Sequence, residues 1–348
     1  RFLAEGETID NYATVLWTEV NINPHPSDRT KDAVIAGNVY GGARGGQIKK
    51  DTKVNLTGGV IKHNAYGGGR GTTAIAADVL GKTTVELNKG VLSTAKGCIV
   101  DKIFGCNDLN GTPKGHVLVH VYGTQNANVG SYPTMGSNVT TPSTNPVVDT
   151  DYDVQAVYGG GDLAPYVPAT DADQTEVIIE GCDVTSIKQV YGGGNAAYVP
   201  ATNVLVKSAY VIDELFGGGN GLDNYVKDGK WYENPGANVG YKELEEHVTD
   251  GTKGDGSDEA HKYGTNVKAN ANTPEGRKAN YSVGTGIAST TVNGGHIHNL
   301  YGGSNMKGNI RAEALLQVEQ AGTCELIVEK TTAGSKSATI DAETNTNR

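Results

Sequence analysis

Residues Gln189–Asn220, "QVYGGGNAAYVPATNVLVKSAYVIDELFGGGN", contain one phrase twice: an aliphatic residue, an aromatic, three glycines and an asparagine. Glycine-rich turns cradle phosphates when they open a helix. Here the first copy leads into "NAAYVPATNVLVKSAYV", which alternates in period two, is rich in β-branched residues and carries a proline. That pattern predicts strand, not helix. No Lys-Ser or Lys-Thr follows the last glycine, as a Walker loop would require. The glycines therefore end one strand and lead to another.

The phrase recurs along the chain as "NVYGGAR" at Tyr40, "NAYGGGR" at Tyr66, "KIFGCND" at Phe104, "AVYGGGD" at Tyr158, "QVYGGGN" at Tyr191, "ELFGGGN" at Phe216 and "NLYGGSN" at Tyr301. Successive aromatics are 26, 38, 54, 33, 25 and 85 residues apart. The short intervals define a unit of about 25 residues, and the long ones are that unit with loops inserted. A unit so short cannot bury a core alone and must stack on its neighbours.

Within the unit, two aliphatic columns mark the core. One precedes the aromatic (Val39, Ala65, Ile103, Val157, Val190, Leu215, Leu300). The other stands four before it in five copies (Val100, Val154, Ile187, Ile212, Ile297). The polar pairs between them, such as Lys188-Gln189 and Asp213-Glu214, give an i, i+3 spacing where a flat strand gives i, i+2, so a bend is expected. On this reading Asp213 lies outside the core and its replacement by alanine is nearly neutral. A second strand precedes each phrase, in "TKVNLTGG" from Thr52, "TTVELNKG" from Thr83, "TEVIIEG" from Thr175 and "TNVLVKS" from Thr202. Strand, turn, strand and glycine-rich corner make an all-β parallel β-helix, each coil about 4.8 Å above the last.

The corner role falls to Gly67, Gly68, Gly159, Gly160, Gly192, Gly193, Gly217, Gly218, Gly302 and Gly303, followed by Asn195, Asn220 and Asn305. Either the backbone there needs positive φ or it has no room for Cβ. The asparagines tolerate such geometry and can hydrogen-bond along their own ladder. Residues 1–35 are expected to cap the solenoid, 36–330 to form it, with insertions at 123–153 and 221–285, and 331–348 to form a partial coil or tail. The insertions, polar and loop-like, are the first candidates for recognition. From its two ends the chain reads as a processed or excised piece.

A net charge of −10, a pI near 5.3 and the absence of a basic stripe argue against nucleic acid as a partner. No apolar window is long enough for a membrane span. Cys98, Cys106, Cys182 and Cys324 lack metal-finger spacing and read as buried or ladder thiols, with a disulfide left open. If a metal is held, Asp149, Asp151 and Asp153, at alternate positions in "DTDYD", are spaced to offer oxygens to Ca2+; no other cofactor is implied. His296 and His298 share a strand face in "GGHIHN" and read as solvated. Carboxylates are spread over loops and bends, whereas polysaccharide-cleaving β-helices gather theirs around one bond. No catalytic residue is therefore expected.

The aromatic column has two readings. Alternation against the inward aliphatics would set Tyr158, Tyr191, Phe216 and Tyr301 outside, as a flat ladder for sugar rings or partner side chains. Alternatively, the bend turns them inward to line the corner.

The repeated "VYGGGN", "LFGGGN" and "LYGGSN" resemble the VYGGGN-type repeats of adhesin-like surface proteins of Bacteroidetes-type bacteria, over roughly residues 36–305. The resemblance implies a right-handed, pectin-lyase-like parallel β-helix. It also implies an exported, extracellular or cell-surface protein, structural or adhesive and without enzymatic activity. Its partners would be a host or bacterial surface glycan or protein, or further copies in a filament. A carbohydrate-binding module or a β-helix polysaccharide lyase or hydrolase is the alternative.

Overall fold

The computed structural model describes residues 14–91, 97–124, 152–170, 173–221, 225–227, 230–232, 237–240 and 284–336. Most of the two expected insertions, with Asp149 and Asp151, lies outside the described residues.

The described strands number β1 to β19 in chain order and build two large sheets. The first runs β1 (Thr18–Ile22), β4 (Thr52–Leu56), β6 (Thr83–Leu87), β8 (Val117–Val121), β10 (Thr175–Ile179), β12 (Thr202–Val206), β16 (Ala288–Val292) and β18 (Ala314–Val318). The second runs from β2 (Val34–Ile35) and β3 (Val39–Tyr40) through β5 (Val60–Tyr66), β7 (Ile99–Phe104), β9 (Val154–Tyr158), β11 (Ser186–Tyr191) and β13 (Val211–Phe216) to β17 (Gly295–Tyr301) and β19 (Leu326–Thr332). Neighbouring strands pair in parallel throughout both sheets. Each coil gives one strand to each sheet, so the chain is a parallel β-helix whose coils stack in sequence order. Single bridges close a third side, linking Val15, Ile48, Val79 and Pro113 in one run and Val199, Val239 and Ile310 in another. Val239 thus brings part of the 221–285 stretch back into the coil. The short strands β14 (Tyr225–Lys227) and β15 (Lys230–Tyr232) pair antiparallel as a separate two-stranded sheet.

The sequence alternation decides what faces in. In β12, Thr202, Val204 and Val206 are buried and Asn203 and Leu205 are half-buried, and β4 and β10 repeat the pattern. In β11 the order changes: Ile187 and Val190 both enter the main core while Lys188 and Gln189 between them stay half-buried. This is the expected bend. The two copies that lack an aliphatic residue four before the aromatic carry one five before it: Ile35 and Ile61 register with each other, and Ile61 with Val100. A register shift between Ile61 and Asn64 absorbs the extra residue, as a β-bulge does.

Near each end of the described residues, strands continue the pairing of the two sheets. Residues 18–35 form a paired first coil through β1 and β2. The strand β19 pairs with β17 up to Thr332, which occupies the aromatic position beside Tyr301. Among the described residues, no helix is long and apolar enough to cross a membrane.

Candidate functional site

The aromatic column is continuous. Tyr40, Tyr66, Phe104, Tyr158, Tyr191, Phe216 and Tyr301 stack face to face with centroids 4.6–5.0 Å apart and planes within 10°. It forms a second apolar cluster beside the aliphatic core. Tyr158, Tyr191 and Phe216 are at most 3% exposed, and only the end members Tyr40 and Tyr301 are partly open. Each inner ring uses both faces on its neighbours. The inward reading of the column is therefore the one the bend produces, and a flat platform for sugars is not formed at Tyr158, Tyr191 or Phe216.

Buried hydroxyls need acceptors, and the residue after the glycines supplies them. The Tyr40 hydroxyl donates to Asp108 Oδ2 at 2.7 Å, Tyr66 to Asp162 Oδ2 at 3.3 Å and Tyr191 to Asn220 Oδ1 at 3.2 Å. These side chains also bond to one another: Asn195 Nδ2 donates to the Asp162 carboxylate Oδ1, Asn220 Nδ2 to Asn195 Oδ1 and Asn305 Nδ2 to Asn220 Oδ1, at 2.7, 2.7 and 2.8 Å. Burial pushes the Tyr40 phenol up to about 12 and raises those of Tyr66, Tyr158 and Tyr191 further. These phenols are hydrogen donors held neutral, not bases.

The corner glycines are required for want of space, not for unusual dihedrals. None of the ten predicted corner glycines has positive φ; that conformation falls instead at turn residues such as Gly59, Gly181 and Gly295. A Cβ on Gly67, Gly159, Gly192 or Gly217 would stand 2.2–2.4 Å from the carbonyl oxygen of the equivalent glycine in the next coil. Cys106 takes the second-glycine place in its own coil, and its thiol packs with Val117 and Tyr166. The sequence reading missed a companion ladder: Thr52, Thr83, Thr175 and Thr202 donate through Oγ1 to the carbonyls of Gly67, Gly105, Gly192 and Gly217 at 2.6–2.9 Å. The signal was there, since each of those strands opens on threonine.

The cysteines divide. Cys98 and Cys106 are free and buried, as expected of core thiols. Cys182 and Cys324 depart from that reading and form a disulfide across 142 residues. Cys182 lies in the turn after β10, whereas Cys324 lies in the longer turn after β18. That longer turn folds back over the intervening coils, with Ala321 and Gly322 donating to the Asn293 carbonyl. The bond therefore ties the last described coil to one three coils earlier.

Several charged groups outside the core are paired. Glu86 is held by Lys53 at 2.9 Å and Lys89 at 2.6 Å; burial alone would raise its pKa, but the two ammonium groups outweigh it and hold it low. Glu180 meets His120 at 2.9 Å and Lys207 at 2.7 Å. Burial lowers the His120 pKa, against the Glu180 carboxylate beside it, which raises it. Of the aspartates spaced for calcium, only Asp153 is described; it accepts from the Thr124 hydroxyl at 2.8 Å.

One cluster differs. His296, His298 and Glu329 bring donor atoms within 4.8 Å of one another on the outer face of β17 and β19. The expectation of solvated histidines fails here, because His298 is fully buried. No protein-family model, curated protein or solved structure matches the chain.

Proposed function

We propose that the chain is a non-enzymatic, structural or adhesive solenoid module of an exported bacterial surface or filament protein. The observation that carries this reading is where the repeated residues go. Aromatics, amides, threonines and glycines, the residues a binding face would display, are consumed in ladders that join coil to coil. Such ladders make a rod that transmits load along its axis, and a disulfide spanning three coils reinforces it. Structural disulfides persist in oxidising compartments, which supports export. Recognition then falls to the stretches 123–153 and 221–285, and the partner is a surface glycan, a surface protein or another copy.

A carbohydrate-binding module is the second reading, and it too would have to use those stretches. The test is incubation of the purified chain with acidic and neutral polysaccharides, with and without Ca2+, alongside a glycan array. The expected outcome is no new reducing or unsaturated ends, with any array signal lost when 125–151 or 241–283 is deleted, deletions that keep Thr124, Asp153 and the bridged Val239 in place. Release of sugar ends that one carboxylate or lysine substitution abolishes would overturn the proposal.

A further inference from the structure

His298 lies on the outer face of β17 between two neighbouring strands, in one row with Asp213 of β13 and Glu329 of β19. The row follows from the register, which pairs Ile212, Ile297 and Val328 just before it and Glu214, Asn299 and Lys330 just after it. Asp213 Oδ1 stands 3.1 Å from His298 Nδ1. A carboxylate there takes the Nδ1 proton as its hydrogen bond and leaves the lone pair on Nε2. That Nε2 is buried without a hydrogen-bond partner, on a side chain of zero exposure.

Nε2 faces Glu329 Oε1 at 3.8 Å, and the same oxygen is 2.7 Å from His296 Nε2. The first distance is too long for a hydrogen bond. It is close to the roughly 3.3 Å that separates two ligand atoms each about 2.05 Å from a tetrahedral ion. A buried imidazole lone pair, a second imidazole and a carboxylate are the donor set of a zinc-class ion, with a carboxylate behind one imidazole to orient it. Calcium, which takes oxygens in greater number, does not suit this set. The side chains of Glu329 and His296 are 30% and 13% exposed, which leaves a way in from solvent.

We propose that His296, His298 and Glu329 bind a divalent transition metal of the Zn2+ class, with Asp213 positioning His298 and water completing the coordination. The ion bridges β17 and β19 and so clamps the last two described coils together. It requires the His296–Glu329 contact to open by about half an ångström, to ligand spacing. The site stands independently of the adhesive reading, since it rests on one cluster and not on the repeat.

The test uses the tag-free chain, stripped with chelator and titrated with ZnCl2 by calorimetry and with CoCl2 by visible absorption. One equivalent of Zn2+ should bind, and Co2+ should give ligand-field bands in the visible. Because His298 is buried and its replacement could disturb folding, the partly exposed ligands carry the test. His296→Gln and Glu329→Gln should each abolish the Co2+ bands with an unchanged far-UV spectrum. Asp213→Ala should weaken Zn2+ binding about 10–100-fold. His116→Gln should leave binding unchanged, since His116 pairs with Glu176 on the other sheet. No saturable binding of either ion by the parent chain, or binding that survives both ligand replacements, would overturn the proposal, and so would a site filled by CaCl2 but not by ZnCl2.

Discussion

At the scale of single residues, the corner is a packing problem solved by hydrogen atoms. Gly192→Ala places a methyl 2.3 Å from the Gly217 carbonyl oxygen, an atom that cannot move without disturbing its hydrogen bond from the Thr202 hydroxyl. The expected loss is about 3 kcal/mol, in the upper range for overpacking. Gly37 has open space around its missing Cβ and lacks positive φ, so Gly37→Ala should stay within about 0.5 kcal/mol. Denaturant midpoints of the two variants check this, and equal midpoints would contradict it. Sequence alone left two explanations for these glycines, because repetition marks a constraint without saying whether it is dihedral or steric. Only the neighbour above each glycine decides, and that neighbour is about 25 residues away or more.

At the scale of the strand, the bend separates core from surface, with one exception. Leu215→Asp and Val190→Asp put a carboxylate where exposure is zero and should cost more than 4 kcal/mol, read as loss of the cooperative unfolding transition at room temperature. Asp213 was expected to be dispensable, since it belongs to a polar bend pair. Its contact with buried His298 alters that: Asp213→Ala strands Nδ1 and should cost about 1–3 kcal/mol by thermal or chemical unfolding. Asp213→Asn, which retains an acceptor, should recover most of it. The columns of Ile187, Val190, Val204 and Val206 were legible because strand period and bend spacing are local. The Asp213–His298–Glu329 row was not, because its members are 85 and 31 residues apart and meet only once coil register is known.

At the scale of the whole molecule, the described coils stack mainly on their nearest neighbours, and few tethers among the described residues reach further. The Cys182–Cys324 bond is such a tether. Closing a loop of 142 residues, it should contribute about 2–4 kcal/mol, so Cys182→Ser should lower the unfolding midpoint while leaving the far-UV spectrum that of a β protein. Cysteine spacing could not reveal this pair, since the long turn that carries Cys324 back over two coils has no repeat to compare with. The fold class was legible because seven copies of one phrase leave few architectures able to use them. The fate of the aromatics was not, since alternation and bend pointed to opposite faces.

The aromatics form a ladder buried in the solenoid and not a platform open to ligands. This burial is tested by following phenol ionisation near 295 nm together with far-UV circular dichroism from pH 8 to 13. A phenol whose folded pKa lies above the unfolded value of about 10 gives stability that is complete below pH 10 and is lost as pH rises through the folded value. Burial raises the pKa of Tyr40 to about 12 and pushes Tyr66, Tyr158, Tyr166 and Tyr191 higher still. At least these five of the 17 tyrosines should therefore remain protonated at pH 11, and most of them should ionise in one step with loss of the β signal. Ionisation of all the tyrosines near pH 10, with the β signal intact, would contradict it.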